Sequence, residues 1–408
     1  MNKVDCEPKI SANNTQNLLW IPSALPFFAF GFFYYLISPY IAFNYFEDFS
    51  VVKTAEKFIP SSYFDMRYLL DCLIILLSWM LGYYMVGKIK PKIRMIDRFS
   101  NFESAPIILG FVFLFFLFFL LISSLAKGLV FFSGYATYDT AILGQLSTLL
   151  FMSAWFINYF QKKRITYFFI SIFLITSTIL IGFGARMFVV LAIITLTLGY
   201  LSINRRKLFS PLLIFIALGF FIFIVWIGVW RSGMELSTDA LMFIFFAEPL
   251  FTSTSGAIYI DNMNGRPLLS FPIEILASFI NFIPTVIFPE KLELIKLLTY
   301  DEAKASPFGA SSIIVNIYSN FGILYPVYFF LIGLFYGYLK KLAKFSRFYK
   351  AVYFSLLPLL MFHFFREGFI TVIKVIFFNG FILPLVIVMF LFLLFYKNQG
   401  LPNVSKKT

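Results

Sequence analysis

The stretch APIILGFVFLFFLFFLLISSLA, Ala105–Ala126, is 22 residues long and contains no charged side chain. A helix needs about 20 mostly apolar residues to cross the hydrocarbon core of a bilayer. The whole chain has 408 residues, of which 60% are hydrophobic and only 13% are charged. These proportions lie outside the range of soluble domains. The sequence therefore predicts an all-α integral membrane protein.

Nine more stretches have the length and composition of membrane-crossing helices. With the first they make ten predicted spans. The chain contains no linker that would divide it, so residues 1–408 are predicted to form a single polytopic membrane domain. The nine stretches are Leu19–Phe43, Arg67–Gly87, Tyr138–Phe160, Ile165–Phe183, Met187–Ile203, Ser210–Trp230, Ile313–Leu339, Ala351–Phe365 and Val375–Tyr396.

Two other apolar stretches, Ala240–Ile260 and Leu268–Phe288, contain polar residues and prolines such as Glu248, Pro249 and Pro284. Proline removes a helical hydrogen bond and favours a break in a helix. Each stretch fits an extra span, a re-entrant piece or a helix in the membrane interface, and the sequence leaves these possibilities open. The predicted total is therefore about 10–12 transmembrane helices.

Lys and Arg residues are clustered on alternate connections, at Lys88–Arg98, Gln161–Arg164, Asn204–Lys207 and Lys340–Lys350. Cytoplasmic loops carry an excess of these residues, so both termini are predicted to be cytoplasmic. The polar first 17 residues do not resemble a cleaved signal peptide. The net charge of +13 follows this topology pattern, so we expect the lipid bilayer, and no nucleic acid, as a partner.

The connection 231–312 is then external and is by far the longest. A loop of this length without structure of its own is uncommon unless it is functional or disordered. This connection is rich in Phe, Ile and Leu, which argues against disorder. We expect a folded external cap loop, carrying membrane-associated helices whose apolar faces lie on the bundle.

Four arginines on the external side are candidate ligands for a phosphate group: Arg186, Arg231, Arg266 and Arg366. The planar guanidinium binds phosphate oxygens bidentately and stays charged, which suits a diphosphate. An arginine at a helix end also commonly extends to a lipid phosphate without a substrate role. Both interpretations stay open for each of the four residues.

Glu248, His363 and Glu367 are candidate general bases on the same side. His363 and Glu367 are four residues apart and share a face if their helix continues. A packed imidazole ring at His363 and a solvated turn at Glu248 are the structural alternatives. The sequence shows no metal-ligand spacing, and Cys6 and Cys72 indicate neither a disulfide framework nor a zinc site. We therefore expect no metal or other cofactor.

Three stretches resemble elements of the O-antigen polymerases, the oligosaccharide repeat-unit polymerases. LIGFGARMFVVLAII (Leu180–Ile194) resembles the Gly-Ser-Arg element at the junction of the fifth and sixth helices in that family. PFGASSIIVNIYSNFGILYPVYFFLIGLFYGYL (Pro307–Leu339) resembles the helix after the long external loop, and FFREGF (Phe364–Phe369) resembles a late Arg-Gly turn. The matching residues of the second stretch are Gly309, Ser311, Tyr318, Asn320, Phe321, Gly322 and Gly333.

The resemblance implies a GT-C-like membrane glycosyltransferase of lipopolysaccharide or similar polysaccharide biosynthesis in the bacterial inner membrane. Such an enzyme joins undecaprenyl-diphosphate-linked repeat units at the external face. By the same resemblance Arg186 and Arg366, with Arg231 and Arg266 as further members of the set, hold the diphosphate. Glu367, His363 or Glu248 accepts the proton of the acceptor sugar. A chain-length regulator protein and a flippase are the partners that the resemblance implies.

Three other functions use similar residues. A flippase for lipid-linked oligosaccharides would bind the same diphosphate, but inside a central cavity and usually with short loops on both sides. An O-antigen ligase has the same sidedness and the same use for arginine, and differs in its acceptor. A membrane acyltransferase would need an activated base, for which His363 is the one histidine in the chain.

Overall fold

The structure is a computed structural model in which most of the chain is described. The described residues are 20–60, 62–87, 105–128, 140–160, 163–183, 185–204, 237–283, 288–299 and 310–396, with isolated positions between 211 and 235.

The described part of the chain is all-helical, as the sequence predicts. We number its helices in chain order. They are α1 (Leu25–Tyr45), α2 (Ser50–Glu56), α3 (Met66–Met85), α4 (Ala105–Ala126), α5 (Thr140–Phe160), α6 (Lys163–Gly182), α7 (Arg186–Asn204), α8 (Thr238–Asn262), α9 (Ile273–Phe282), α10 (Lys291–Leu298), α11 (Ile313–Asn320), α12 (Tyr325–Ala343), α13 (Arg347–Leu356), α14 (His363–Arg366), α15 (Phe369–Ile373) and α16 (Leu383–Tyr396).

Among the described residues, seven helical segments are long and apolar enough to cross a membrane, which makes the chain a multi-pass membrane protein. Helices α6 and α7 occupy two further predicted spans, although their described apolar parts are shorter. The predicted span Ser210–Trp230 lies almost wholly outside the described residues. The seven segments are Leu25–Tyr45, Met66–Met85, Pro106–Ala126, Ile142–Phe160, Thr238–Asn262, Gly322–Ala343 and Phe369–Leu394.

The predicted span Ile313–Leu339 is wrong as a single helix, because the chain breaks between α11 and α12. Gly322 has φ +53°, a left-handed conformation that favours glycine. The break is paired with the cap: the amide of Ile323 donates to the carbonyl of Leu268, 2.9 Å away. The hydropathy of the sequence does not reveal such a break, because the backbone groups at the break form hydrogen bonds with a distant part of the chain.

The predicted span Ala351–Phe365 is also interrupted. Helix α13 ends at Leu356, a 3₁₀ turn covers Pro358–Leu360, and the single turn of α14 follows. Nearly every side chain from Phe348 to Leu360 is buried, so this segment forms the centre of the bundle. Helix α8 differs from the sequence prediction in the opposite way. It continues through Pro249, where the sequence favoured a break.

Helices α3 and α12 pack closely through small residues. A methyl group on Gly333 would overlap the backbone carbonyl of Trp79, and one on Gly82 would overlap the carbonyl of Phe330. Small residues at such positions let two membrane helices approach at backbone distance. Gly333 meets the carbonyl of Trp79, and Gly337 meets that of Tyr83 one turn further along both helices, so the two helices run parallel.

The bundle has two ends, which differ in what covers them. We call the end at which α3 and α12 begin the cap end, because α8 and α9 lie there, and the other the basic end. The Nζ of Lys341 donates to the carbonyls of Val86 and Gly87 at the basic end. At the cap end the hydroxyl of Tyr68 donates to the carbonyl of Leu36, 2.8 Å away, so α1 projects beyond the start of α3.

Helix α8 lies along the cap end. Near its start, Asp239 accepts hydrogen bonds from the amide and the hydroxyl of Ser50, at 3.0 and 2.5 Å. Just after its end, Arg266 pairs with Asp65 at 3.3 Å. Both partners belong to the one connection between α1 and α3. A helix held at both ends by the same connection runs beside it.

Candidate functional site

The short helix α14 places the predicted polar residues of the C-terminal motif. It ends at Arg366, and Glu367 is already extended, with φ −95° and ψ 151°. The helix does not continue, so the predicted helical face shared by His363 and Glu367 does not form. Gly368 follows directly, which fits a turn of the chain at this point.

Arg366 lies between two carboxylates from different parts of the chain. Its Nε is 3.1 Å from Oε1 of Glu248 on α8, and its Nη1 is 3.3 Å from Oε1 of Glu367. The three side chains are 30, 31 and 28% exposed, so the group is partly buried but open on one side. The structure thus brings together three of the site residues predicted from sequence.

Glu248 is held by more than the arginine. The hydroxyl of Tyr35, on α1, donates a 2.6 Å hydrogen bond to the same Oε1 atom. No described residue donates to Oε2 of Glu248. The carboxylate is therefore fixed through one oxygen, while the other has a lone pair available to a ligand.

The start of α7 lies beside this group. Nη1 of Arg366 is 3.3 Å from Sδ of Met187, the second residue of that helix. Arg186 is the first residue of α7; its side chain lies outside the described residues. The first amide groups of a helix carry a partial positive charge and favour anions. A helix start and the guanidinium of Arg366 are thus neighbours at the cap end.

His363 lies beneath the group and is 2% exposed. Its ring is 5.3 Å from the ring of Phe188, in a tilted arrangement. Its Nδ1 has no hydrogen-bond partner among the described residues. This environment is that of a packed ring, the structural alternative considered for His363 from the sequence.

The backbone around Arg366 is fixed by the segment before α11. The amide of Ser311 donates to the carbonyl of Arg366 at 2.9 Å, and Nδ2 of Asn316 donates to the carbonyl of Glu367 at 2.8 Å. The amide of Ser312 donates to Oγ of Ser255 on α8 at 2.7 Å. These bonds join α8, α11 and α14 into one scaffold.

Arg266 lies in a different cluster. Its Nε is 3.0 Å from Oδ2 of Asp71, and its Nη2 is 3.3 Å from Oδ1 of Asp65. The hydroxyls of Tyr318 and Tyr325 also donate to Asp71, at 2.9 and 3.0 Å. Burial lowers the pKa of Arg266, but the charges of its partners outweigh burial and leave the pKa above its ordinary value. This arginine ties the cap to α3.

The residues that resemble the polymerase motif around α11 have structural contacts. Tyr318 binds Asp71, and Nδ2 of Asn320 donates to Oε2 of Glu274 on α9 at 2.7 Å. Gly322 forms the break before α12, and Gly333 packs against Trp79. The matching residues of this stretch therefore position the cap on the bundle. The Glu248–Arg366–Glu367 group lies beside the start of α11.

The remaining sequence predictions concern Arg231 and metal binding. Arg231 lies outside the described residues. Within the described ranges, no group of three or more His, Cys, Asp or Glu side chains is placed to hold a metal ion. Cys72 is buried with a free thiol, and Cys6 also lies outside the described residues.

Two contact residues of the site, Tyr35 and Asn316, were not predicted. The chain has 23 tyrosines and no local feature marks Tyr35 among them. Asn316 was a possible choice, because it is a polar residue inside the resembling stretch.

No family model, no curated protein and no solved structure matches the chain.

Proposed function

We propose that the chain is a membrane glycosyltransferase of GT-C-like architecture that polymerises undecaprenyl-diphosphate-linked repeat units. It would act at the external face of a bacterial inner membrane, with both termini in the cytoplasm. The observation that carries the proposal is the Glu248–Arg366–Glu367 group at the start of α7. It combines a cation, a helix start and two carboxylates at the boundary of a membrane bundle.

The cation and the helix start suit a diphosphate leaving group. When the bond between the sugar and the lipid diphosphate breaks, negative charge develops on the phosphate oxygens. Preorganised positive groups stabilise that charge most when water is partly excluded, as it is around the half-buried Arg366. In this proposal Arg366 and Arg186 do this, together with the first amides of α7.

A carboxylate suits the other half of the reaction. The hydroxyl oxygen of the acceptor sugar forms a bond to the anomeric carbon of the donor glycan, and the bond from that carbon to the diphosphate oxygen breaks. The hydroxyl proton passes to a carboxylate, which we assign to Glu248. Its Oε1 is fixed by Tyr35 and Arg366, and its Oε2 accepts from no described residue.

Glu367 and His363 receive other roles in this proposal. Glu367 pairs with Nη1 of Arg366 and positions the guanidinium. His363 is buried under the group and packs on Phe188, so it does not face a sugar. Arg266 is engaged by two aspartates and anchors the cap.

The charge distribution supports the proposed orientation. Lys340 and Lys341 close α12 at the basic end, opposite the Arg366 group. Since basic residues favour the cytoplasmic side, the cap end and its site are assigned to the external side. Lipid-linked repeat units and a chain-length regulator protein are the partners that this function calls for.

Deletion of the gene in its host, followed by gel analysis of the surface glycan, tests the function. A core carrying a single repeat unit is the expected result. Absence of any repeat unit from the core would reject polymerisation and indicate a ligase or a flippase instead. Unchanged long chains would reject all three functions.

A further inference from the structure

Two lysines from distant parts of the chain lie together beside the end of α9. Lys291 is the first residue of α10, and its Nζ donates to the carbonyl of Ile283, 2.7 Å away and just past α9. Lys374 begins the π-helical segment between α15 and α16, inside the span Phe369–Leu394. The two ammonium groups are close enough to repel each other. The fold therefore concentrates positive charge at this point.

A ring contact places the two lysines independently of their charges. Phe282, the last residue of α9, stacks on Phe378, with the ring centroids 5.1 Å apart. Phe378 follows Lys374 by four residues, which is about one turn of a helix. The end of α9 thus lies against the turn that carries Lys374, and the next residue of the chain, Ile283, holds Lys291.

Neither lysine has an acidic partner among the described residues. Lys374 forms no hydrogen bond or ion pair with them, and Lys291 bonds only to two backbone carbonyls at the end of α9. Glu290 and Glu293, which flank Lys291 in the chain, are exposed and pair with neither lysine. An ionisable side chain inside a membrane span is costly and normally has a partner or a function. The pair therefore lacks an anion.

Helix α9 presents an open apolar face next to this cluster. Ile273, Leu276 and Phe279 are spaced three residues apart and are all exposed. Glu274 and Ala277, on the opposite face, are buried. Three exposed apolar side chains on one helix face in a membrane protein need an apolar covering.

The position of this face indicates what covers it. The carbonyl of Leu268, shortly before α9, accepts a hydrogen bond from the amide of Ile323, just before α12. Helix α12 belongs to a membrane span, and its exposed apolar row consists of Leu324, Val327 and Leu331. Such a row on a membrane span faces lipid chains. The segment that leads into α9 thus adjoins the lipid-facing surface of the bundle.

We propose that Lys374, supported by the charge of Lys291, binds the phosphate of an anionic phospholipid whose chains lie along the exposed face of α9. Basic pockets beside membrane helices bind anionic headgroups in this way. The apolar face favours a ligand with hydrocarbon chains over free phosphate. This site is separate from the Arg366 group and does not depend on the proposed reaction. A lipid held there would tie α9 and α10 to the bilayer.

Native mass spectrometry of the purified, delipidated full-length protein tests the site. The probes are dioleoyl phosphatidylglycerol, which is anionic, and dioleoyl phosphatidylcholine, which has the same chains but no net charge. Wild type should bind the first phosphatidylglycerol at least about tenfold more tightly than phosphatidylcholine. Lys374→Gln should bind phosphatidylglycerol about tenfold more weakly than wild type, as expected for one lost charge-assisted hydrogen bond.

Two control variants separate a site from a general attraction of lysine to lipid. Lys374→Arg keeps the charge and should bind phosphatidylglycerol nearly as wild type does. Lys296→Gln removes an exposed charge from the same helix as Lys291 and should leave binding unchanged. A lysine that merely extends to any nearby headgroup predicts equally small effects of Lys374→Gln and Lys296→Gln.

Folding is monitored by thermal unfolding with and without phosphatidylglycerol. Lys374→Gln removes an unpaired charge from a span, so without lipid it should be at least as stable as wild type. Added phosphatidylglycerol should raise the unfolding temperature of wild type more than that of Lys374→Gln.

Three results would overturn the site. One is equal affinity of wild type for the two lipids, which requires no variant to fold. Another is equal phosphatidylglycerol affinity of wild type and folded Lys374→Gln. The third is displacement of phosphatidylglycerol by inorganic phosphate or by undecaprenyl diphosphate at a lower concentration than by phosphatidylglycerol itself, which would assign the lysines to free phosphate or to the carrier lipid. The deletion phenotype tests the proposed function separately from all three.

Discussion

Replacement of Glu248 by glutamine is the most direct test of the proposed reaction centre. Glutamine has nearly the same shape, and its carbonyl oxygen can still accept hydrogen bonds from Tyr35 and Arg366. It cannot take the acceptor proton. General-base catalysis contributes about 10²–10⁴-fold, so the polymerisation rate of Glu248→Gln should fall by at least about 100-fold.

The expected cost in stability is much smaller. The side chains of Glu248 and Arg366 are 31 and 30% exposed, so the pair is screened by solvent and contributes about 1 kcal/mol or less. Glutamine retains the Tyr35 hydrogen bond. A loss of about 1 kcal/mol leaves most proteins folded, so the amount of Glu248→Gln in the membrane should be close to that of wild type.

The assay uses purified full-length protein in nanodiscs with lipid-linked repeat units from the deletion strain. The initial rate of formation of the two-repeat product is measured by mass spectrometry. Glu56→Gln is the matched control, because it makes the same chemical change at an exposed position of α2. A Glu248→Gln rate above a tenth of the wild-type rate would refute the assignment of the base.

The remaining predictions concern the arginine at the start of α7, the sidedness of the bundle and its helix packing. Arg186→Ala should abolish polymerisation, and Arg186→Lys should impair it strongly, with both variants present in the membrane at normal abundance. The reason is that lysine keeps the charge but loses the bidentate fork. Full-length glycan chains from the lysine variant would indicate a lipid-phosphate role for Arg186 instead. Reporter fusions should read external at Lys291 and cytoplasmic at Lys344; the reverse result would invert the assigned face. Gly333→Ala should cost about 1–3 kcal/mol, seen as earlier thermal unfolding in detergent, because its methyl group overlaps the Trp79 carbonyl, whereas Gly144→Ala has open space and should cost nothing.

The sequence predicted helix positions well where length and apolar character decide them. Ala105–Ala126 was predicted as a span and is the helix α4 with the same bounds. The breaks at Gly322 and Pro358 were not predicted. The amide of Ile323 donates to the carbonyl of Leu268, and the carbonyl of Leu356, just before Pro358, accepts from the hydroxyl of Tyr336. A window of apolar residues carries no information on such distant partners.

The candidate site was predicted in its residue types more than in its arrangement. Glu248, Arg366 and Glu367 were each selected separately, and the structure places them within ion-pair distance. Their pairing depends on α8 lying along the cap end, which brings residue 248 to residue 366. The length and composition of α8 alone fit a membrane span equally well, so the sequence did not determine this placement.

Two arginines on the cap side illustrate why residue type does not decide function. Arg266 is 18% exposed in its side chain, and its aspartate partners are themselves bound by two tyrosines and a helix start. Arg366 is 30% exposed, and its partners Glu248 and Glu367 are 31 and 28% exposed, whereas Asp71 beside Arg266 is 10% exposed. A guanidinium whose charge is already balanced by two aspartates binds an incoming diphosphate weakly, because the ligand must displace carboxylates that the fold holds in place. In the proposed reaction a phosphate oxygen approaches the more exposed Arg366, while Glu248 stays fixed through Oε1 and accepts the proton at Oε2. This difference is the basis on which we propose a structural role for Arg266 and a substrate-binding role for Arg366.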